Sequence, residues 1–295
     1  MEKPVYGEYI HCMIKEIDTP SYYLNGKPEL NPLPSWFTHL GIGVFETLRV
    51  QRVKDNSGIE FRILGLNLHL DRLFEGARFI RAINLQVETI VETIKAACNS
   101  FFWSDYSDAR LRITLFQEDW MVQMEPWRPS LDQEKGISCV TFDGERTISE
   151  NKSCSAIVSA IARMTLKEQQ ADEALLVDRE GIIREGSWSN FFWISSKDEL
   201  ITPATRILKG VTRSLVLELA AKGLKVHERD CTTTSILSQA KEAFITQTSH
   251  GIVPVIKINQ QLIGSGVPGQ VTKKLRADYE SLLKLAEEPL TTRFR

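Results

Sequence analysis

Residues 151–192 constrain the fold of this chain more than any other part of the sequence. Lys152 is followed by an apolar segment that is compatible with a helix, and residues 174–177 then form a β-rich run that predicts a strand. A turn at residues 179–181 and a second β-rich run lead to Glu185, where small polar residues interrupt the apolar pattern. The pattern therefore predicts a lysine and a glutamate on separate elements of one compact unit.

Length and charge limit the classes of protein that fit this sequence. The chain has 295 residues, of which 42% are hydrophobic and 25% are charged. A chain of this length can bury one large core or two medium ones. The formal net charge is -2, which gives no general attraction to nucleic acid or to an anionic membrane. We therefore expect neither of them as a partner.

The cysteines indicate a reducing compartment. There are five, an odd number; they are scattered and never form a CxxC pair, so we predict neither a disulfide framework nor a metal site. The N-terminal segment lacks the apolar core of a signal sequence, and no apolar run approaches the roughly 18 residues that a membrane-spanning helix needs. We expect a cytoplasmic protein.

The hydrophobic patterns divide the chain into two predicted domains. Residues 1–120 form a smaller N-terminal α/β domain, residues 121–135 an interdomain connection, and residues 136–295 a larger C-terminal domain. In the first domain we predict strands at 44–50 and 109–116, a hairpin tip at 52–58, and helices at 66–80 and 85–102. In the second we predict helices at 213–222 and 271–286 and strands at 243–246 and 252–258. The periodicity fails between residues 117 and 136, where the tryptophans and prolines predict an ordered connection rather than a flexible linker.

Seven short motifs follow one another along the chain. They are GIGVFE at 41–46, HLDRL at 69–73, Lys152 with Ser153, DEALLVD at 172–178, EGSWSNF at 185–191, LKGVTR at 208–213, and residues 246–254. In these motifs and their order the chain resembles, over nearly its whole length, the fold-type IV pyridoxal phosphate enzymes, a family that includes branched-chain aminotransferases, D-amino acid aminotransferases and aminodeoxychorismate lyases. The resemblance implies a two-domain α+β / α/β fold that is D-amino acid aminotransferase-like, with the cofactor between the domains.

The resemblance also assigns the two catalytic residues. Lys152, which on its own would be read as an exposed lysine, matches the lysine that binds pyridoxal 5'-phosphate as a Schiff base and then moves the substrate proton. That role requires a pKa well below the ordinary value of about 10.4, and the apolar residues that follow the lysine, Ile157 and Ile161 among them, suit a buried setting. Glu185 matches the carboxylate that keeps the pyridine nitrogen protonated.

A further set of residues is expected to bind the cofactor. Arg72 matches the family's phosphate-binding arginine, and guanidinium suits bidentate contact with phosphate. Gly210 precedes a predicted helix whose first N–H groups can bind an anion. By resemblance the complete cofactor-binding set is Arg72, Lys152, Glu185, Ser187, Asn190, Gly210, Val211, Thr212 and Thr248.

The substrate-binding residues follow the family patterns less closely. Ile157 stands where branched-chain enzymes carry a tyrosine, and residues 114–116 lack the arginine that is expected near the substrate carboxylate. Trp188 is bulkier than the residue usual at its position, and it either narrows the pocket or packs away from it. The candidates for substrate contact are Phe45, Arg49, Trp188 and His250. The candidates for the substrate carboxylate are Arg49, Arg110, Arg112 and His250. Among them we favour Arg49, and for Arg110 and Arg112 we favour surface or structural ion pairing.

Three functions remain open from the sequence. The first is an aminotransferase that moves an amino group between an amino acid and a 2-oxo acid, similar to the branched-chain enzymes. The second is a lyase of the aminodeoxychorismate type, and the third is a non-catalytic protein that binds the cofactor. The resemblance also implies a homodimer, with Trp36 and Phe37 either at its interface or in the core.

Overall fold

The computed structural model of the chain describes residues 22–24, 27–29, 41–55, 58–82, 86–116, 119–128, 131–284 and 291–294. Trp36 and Phe37 lie outside the described residues. The described part contains two β-sheets, each with helices packed against it. None of the described helices is long and apolar enough to cross a membrane.

The first sheet has seven strands. They are β1 (Tyr22–Leu24), β2 (Lys27–Glu29), β3 (Val44–Asp55), β4 (Gly58–Leu64), β5 (Asp108–Phe116), β6 (Asp119–Trp127) and β16 (Thr291–Phe294). Their order in the sheet is β16-β4-β3-β5-β6-β1-β2, and the pairs are antiparallel. Strand β16 comes back from the C-terminal end of the chain to pair with β4, so this sheet is completed by the last part of the sequence.

Two helices, α1 (Leu66–Phe79) and α2 (Val87–Ser100), complete the core of this first unit. Alternation along β3 decides which side chains enter that core. Val44, Leu48 and Val50 are buried in it, whereas Phe45 and Arg49 are only half-buried and lie on the opposite face of the strand because side chains alternate along it. The central strand therefore carries two of the predicted substrate residues on one face.

The second sheet has nine strands. They are β7 (Ile137–Asp143), β8 (Glu173–Val177), β9 (Ile183–Gly186), β10 (Asn190–Ser195), β11 (Leu200–Thr202), β12 (Val226–Glu228), β13 (Ala240–Gln247), β14 (Gly251–Ile258) and β15 (Gln261–Leu262). Their order is β12-β11-β10-β13-β14-β7-β8-β9, with β15 paired to β14. The sheet mixes parallel pairs, such as β7 with β8, and antiparallel pairs, such as β8 with β9.

Four α-helices accompany the second sheet: α3 (Ile157–Met164), α4 (Val211–Ala220), α5 (Thr233–Gln239) and α6 (Gln270–Lys284). Helices α4 and α6 pack together over the sheet, where Leu215, Tyr279 and Phe244 belong to one buried cluster. The strands β8, β9 and β10 are buried along their whole length. Burial on both faces explains the continuous apolar runs in β8 and β10, whereas β9 carries two buried charged side chains, Arg184 and Glu185.

Most predicted elements are confirmed within a few residues, but one strand was not predicted. The segment between residues 117 and 136, expected to be an ordered connection, contains the nine-residue strand β6. It pairs with β5 along its whole length, from Asp108 opposite Trp127 to Phe116 opposite Asp119. The tryptophans and Pro126 of this segment hid its alternation, since proline is uncommon inside strands. A short 3-10 helix (Leu131–Lys135) then leads to the second sheet.

Backbone hydrogen bonds join the lysine segment to the start of β3. The Phe45 N–H donates to the carbonyl of Lys152 at 2.9 Å, and the Cys154 N–H donates to the carbonyl of Gly43 at 2.8 Å. Val44 and Ser153 thereby form an isolated antiparallel bridge. These bonds fix Lys152 where the two sheets meet.

Gly251→Ala tests the close packing of β14 against helix α6. Gly251 has φ +65°, and a Cβ atom there would lie 2.8 Å from the Tyr279 ring, so the substitution adds both backbone strain and overlap. We expect it to lower the free energy of unfolding by about 1–3 kcal/mol, measured by urea denaturation. Gly181→Ala is the control, because Gly181 also has a positive φ but open space around it; an equal or larger loss in the control would contradict the packing argument.

Candidate active site

Lys152 is half-buried at the junction of the two sheets. Its Nζ lies 4.8 Å from the centroid of the Phe45 ring. Burial, followed by the positive charge of Arg72, lowers the pKa of the Lys152 amine to about 7, although Glu46 acts in the opposite direction. Arg146 and Arg112 lower it further. The amine is therefore largely uncharged just above neutral pH, as a nucleophile or a base requires.

Glu185 lies on β9 and is buried. Its Oε1 accepts a hydrogen bond from Arg146 Nη1 at 3.2 Å, and its Oε2 accepts one from the backbone N–H of Leu208 at 3.0 Å. Burial raises the pKa of Glu185, while Arg146 and the positive charge of Lys152 oppose the rise. Lys152 and Glu185 are thus close enough to interact electrostatically, as the sequence predicted.

Arg72 belongs to a buried cluster with Glu46 and His69. Its Nε and Nη2 each donate to a Glu46 carboxylate oxygen at 2.7 Å, and the His69 Nδ1 lies 2.7 Å from Glu46 Oε2. Burial works against the charge of Glu46, yet Arg72 and His69 lower the pKa of this carboxylate to about 2. Glu46 therefore stays ionised and holds the arginine in one orientation.

The N-terminus of helix α4 lies beside this arginine. Arg72 Nη1 donates to the carbonyl of Lys209 at 3.0 Å, immediately before Gly210, the N-cap of the helix. Asn190 Nδ2 donates to the carbonyl of Leu208 at 2.7 Å, and a Cβ atom on Gly210 would lie 2.2 Å from Asn190 Oδ1. Glycine is therefore needed at this N-cap, and the free N–H groups that follow it form an anion site next to a guanidinium.

Val211, Thr212 and Thr248 meet at a narrow cavity at the same helix terminus, and Arg49 lines it as well. Thr248 is in the turn between β13 and β14. The structure therefore brings together Arg72, Gly210, Val211, Thr212 and Thr248, which the sequence assigned to the phosphate. The cavity is small, and the first residues of helix α4, whose N–H groups form the anion site, line it.

Ser187 is buried, whereas the neighbouring Trp188 is exposed. The Ser187 hydroxyl donates to the buried carboxylate of Glu173, which Ser189 also contacts. Trp188 is 57% exposed, and its ring lies 4.2 Å from the guanidinium of Arg163. The indole is therefore not buried in the protein interior; it stacks on an arginine at the surface.

Arg49, which lines the narrow cavity at the helix terminus, and His250 pack against the same tryptophan, Trp127. Arg49 donates to Asp108 at 2.7 Å and its guanidinium is 4.4 Å from the Trp127 ring centroid. His250 packs edge-on against the same tryptophan, and its buried Nδ1 has no hydrogen-bond partner among the described residues. Burial and the nearby charges of Arg110 and Arg49 lower the pKa of His250 to about 4. His250 is therefore neutral at neutral pH, and the charge of Arg49 is neutralised by its ion pair with Asp108.

Arg112 differs from the expectation that it forms an ion pair. Its Nε donates to Thr114 Oγ1 at 3.1 Å, its guanidinium lies 3.6 Å from the Phe45 ring centroid, and none of the described ion pairs includes it. Arg110, by contrast, is paired with Glu125 as expected. The two arginines alternate with Leu111 on β5, but only Arg112 lies near Lys152, where its charge lowers the pKa of the amine. An arginine without a carboxylate partner in the described part of the chain thus faces the reactive lysine.

The apolar residues after Lys152 do not bury it, which contradicts the expectation. Ile157 and Ile161 are 65% and 46% exposed, and Met164 is 70% exposed. They stand at positions i, i+4 and i+7 of helix α3 and so share one helix face. Lys152 is instead covered from β3, whose Phe45 contacts it through both ring and backbone. The exposed α3 stripe, formed by Ile157, Ile161 and Met164, needs another explanation.

A comparison with known proteins identifies the family. The family model for amino-transferase class IV matches residues 43–258 of this chain. The chain belongs to the class IV aminotransferases.

Individual relatives agree with this assignment. A branched-chain-amino-acid aminotransferase of Pseudomonas aeruginosa is 31% identical over 271 residues, which are 83% of this chain and 85% of that protein. A D-alanine aminotransferase of Bacillus licheniformis is 34% identical over 157 residues, 52% of this chain and 55% of that protein. A crystal structure of a T.th. branched-chain amino acid aminotransferase with pyridoxamine 5'-phosphate is 25% identical, has a TM-score of 0.78, and covers 91% of this chain and 96% of that one.

The residues of this class IV aminotransferase fit pyridoxal 5'-phosphate, the cofactor it uses. A buried amine of low pKa, a buried carboxylate and an arginine beside a helix N-terminus match the aldehyde, the ring nitrogen and the phosphate. Thr246, which precedes the Thr248 turn, has a buried hydroxyl without a hydrogen-bond partner among the described residues. The site thus has polar groups that the protein alone does not satisfy.

Three residues that contact this site or act on its charges were not among those that the sequence reasoning favoured. Glu46 stands in the quoted GIGVFE motif, but its contact with Arg72 joins a strand to a helix. Arg146 follows β7 and was in no motif. Arg112 was noticed but assigned to ion pairing, and only the strand register, which places Arg112 opposite Thr47, brings it to the face of β3 that carries Phe45.

The low pKa of Lys152 predicts the pH dependence of Schiff base formation. The neutral amine reacts, so the rate at which cofactor-free enzyme combines with pyridoxal phosphate should rise with pH through about 7 and level off above it. Arg112→Leu removes a nearby positive charge and should move the midpoint to higher pH; Arg110→Leu should not. The rate is measured from the growth of the imine absorbance band. A midpoint near 10, the pKa of an exposed lysine, would contradict the lowered pKa of Lys152.

Proposed function

We propose that this aminotransferase moves the amino group of a branched-chain amino acid to a 2-oxo acid, with the two substrates bound in turn at Lys152. The proposal is carried by two groups that both contact the Phe45 ring: the Lys152 amine, whose pKa is lowered to about 7, and Arg112, which none of the described ion pairs includes. The branched-chain preference rests on the relatives, whose names specify that substrate class.

Lys152 acts on the proton at the substrate Cα. When bound, pyridoxal phosphate supplies an aldehyde that condenses with amines and a ring that accepts the electrons of the broken Cα–H bond. When the substrate amine has taken the place of the Lys152 amine, the Lys152 Nζ would be free to accept the proton from the substrate Cα and to donate it back. Its low pKa makes both transfers possible near neutral pH, since a permanently charged ammonium group could not accept the proton.

Glu185 and Arg146 form the polar wall opposite the lysine. We propose that the Glu185 carboxylate holds a proton on the cofactor ring nitrogen, because a positively charged ring is the better electron acceptor. The hydrogen bond from Arg146 at 3.2 Å and that from the Leu208 N–H keep the carboxylate oriented. Arg146 also favours the ionised form of Glu185 against the effect of burial on its pKa.

The phosphate site combines one guanidinium with a helix terminus. Arg72, oriented by Glu46, and the free N–H groups after Gly210 would bind the phosphate, with the hydroxyls of Thr212 and Thr248 as further donors. Each group comes from a different element: helix α1, helix α4 and the turn before β14. The cofactor would therefore lie between the two sheets, which we propose are two domains divided near residues 121–135.

Arg112 is the group we assign to a substrate carboxylate. Its pKa is lowered by burial, its side chain contacts Thr114, Phe45 and Cys154 rather than a carboxylate in the described part of the chain, and a guanidinium with free N–H groups suits bidentate contact with a carboxylate. Arg49, which we favoured from the sequence, is held by Asp108.

An absorbance screen of amino donors tests the proposed function. Purified holoenzyme is mixed with single amino acids of both enantiomers, and the loss of the imine band reports the half-reaction. We expect the fastest loss with valine, leucine or isoleucine and recovery of the band on adding a 2-oxo acid. Pyruvate release from aminodeoxychorismate without an amino acceptor would instead indicate a lyase and contradict the proposal.

Arg112→Leu should weaken substrate binding selectively. Because the variant loses the charge-assisted contact with the substrate carboxylate, we expect the KM for the amino acid to rise at least about tenfold, while the cofactor still binds. Arg110→Leu is the matched control, since Arg110 lies two residues away on the same strand and is paired with Glu125. Steady-state kinetics of both variants measure the difference, and equal KM values would rule out this role for Arg112.

We further propose that the enzyme is a homodimer in which the exposed α3 stripe is covered by the second copy. Three large apolar side chains on one helix face form the kind of patch that marks a protein interface. The stripe begins five residues after Lys152, so a partner there would also shield the active site from water. The four described cysteines are free, which supports the cytoplasmic location that we propose and that cell fractionation tests.

Ile161→Asp tests the proposed interface. A buried charge at an apolar interface is unfavourable, so this variant should shift towards a monomer in light scattering coupled to size-exclusion chromatography. Val267→Asp is the control, because Val267 is 61% exposed but lies outside the α3 stripe. A wild-type chain that is monomeric at micromolar concentration, or a variant that remains dimeric, would contradict the proposal.

A further inference from the structure

We propose that a groove beside Arg52 in the first sheet binds a small aromatic carboxylate. The groove lies between the β3–β4 hairpin and the C-terminal end of helix α2, and its volume is about 400 Å³. Sites for small organic molecules have volumes of about 300–1,000 Å³ and combine apolar walls with few polar groups. We refer to it as the hairpin groove, with Arg52, Phe61, Phe101, Phe102 and Trp103 as its defining residues.

The charge of the hairpin groove comes from Arg52. Its Nε is buried and has no hydrogen-bond partner among the described residues, and none of the described ion pairs includes it. Its guanidinium carbon lies 6.0 Å from the centroid of the Trp103 ring, which is the outer limit of a cation–π contact. Arg52 lines the groove and has no carboxylate partner among the described residues, so a ligand carboxylate would neutralise its charge and accept hydrogen bonds from the part of the guanidinium that the groove exposes.

The aromatic side chains that line the hairpin groove favour a ligand with a flat ring. Phe61 stacks on Trp103 with ring centroids 5.4 Å apart, and Phe101 meets the same indole edge-on at 5.1 Å. The Trp103 Nε1 donates to the carbonyl of Cys98 at 2.8 Å, so the indole is fixed and its polar atom is satisfied. Phe102, by contrast, is 64% exposed at the rim. An aromatic ligand would extend the stacked cluster and cover this exposed ring.

No negative group among the described residues that line the groove competes with the ligand. Burial raises the pKa of the Cys98 thiol to about 12, so this lining residue stays neutral. Asn99 and Ser104 complete the polar part of the lining and are exposed; both can donate hydrogen bonds to a carboxylate. The chemistry of the lining thus favours an anion over a cation.

The hairpin groove is separate from the site of transamination. Arg52 lies seven residues after Phe45 on the same strand, which corresponds to about 23 Å along an extended chain. It also lies on the helix-covered face, with Leu48 and Val50, whereas Phe45 and Arg49 lie on the other face. The proposal therefore does not depend on the function assigned to Lys152.

Isothermal titration of the holoenzyme with indole-3-acetate tests the proposal. This probe has neither an amine nor a keto group, so it cannot take part in transamination. We expect one molecule bound per chain, and at least about tenfold weaker binding both for Arg52→Leu and for the neutral probe indole-3-acetamide, since each removes one half of a charge-assisted hydrogen bond. Phe102→Ala, a change at an exposed position, should also weaken binding.

Arg78→Leu is the matched control, because Arg78 is an exposed arginine on helix α1, which packs on the same sheet, and lies outside the groove. This variant should bind indole-3-acetate with the affinity of the wild type. The kcat and KM for amino acids should be unchanged in Arg52→Leu. The proposal is overturned if indole-3-acetate does not bind, if Arg52→Leu binds it as tightly as the wild type, or if it competes with the amino acid and so occupies the active site. Capture of a protein or nucleic acid by the groove in place of the probe would overturn it too.

Discussion

The site depends on the balance of charge around one amine. Arg72, Arg112 and Arg146 all act on Lys152, and Glu46 is the carboxylate that opposes them most directly. With burial, the surplus of positive charge lowers the lysine pKa to about 7. In the proposed function the same positive charge would also attract two anions, the phosphate of the cofactor and the carboxylate of the substrate. One electrostatic arrangement would then both lower the pKa of the base and attract its reactants.

The residues that create this charge distribution come from both sheets. The first supplies Phe45, Arg112 and, through helix α1, Arg72; the second supplies Lys152, Glu185 and the N-terminus of α4. The hydrogen bonds between residues 43–45 and 152–154 connect the two at the lysine itself. A shift of β3 by one residue would turn Phe45 towards the core and Glu46 towards the cleft, so strand register is as important to the site as the identity of its residues.

The sequence was sufficient for the elements with clear periodicity and for residues inside known motifs. Lys152, Glu185, Arg72 and the α4 terminus were selected because each sits in a motif of the family that the sequence resembles, and the structure brings these groups near one another. It was insufficient where a contact joins distant segments. Arg112 is positioned by the pairing of β5 with β3. Arg146 is positioned by the packing of the segment before Lys152. No short sequence pattern predicts either position. Strand β6 was missed because aromatic residues and a proline obscured its alternation.

The exposed α3 stripe shows a further limit of reasoning from one chain. Apolar periodicity indicates that a face is covered, but it does not distinguish coverage by the same chain from coverage by another. Ile157 and Ile161 were assigned to the surroundings of the lysine, and the structure leaves both exposed. Hydrophobic pattern predicts burial correctly only when the whole assembly is considered.

Borohydride reduction of the holoenzyme, followed by proteolysis and mass spectrometry, tests the central claim most directly. Reduction makes the bond between lysine and cofactor permanent, so the modified peptide identifies the lysine. The account predicts one phosphopyridoxyl group per chain, attached to Lys152. Modification of a different lysine, or an unmodified Lys152 in active enzyme, would contradict it.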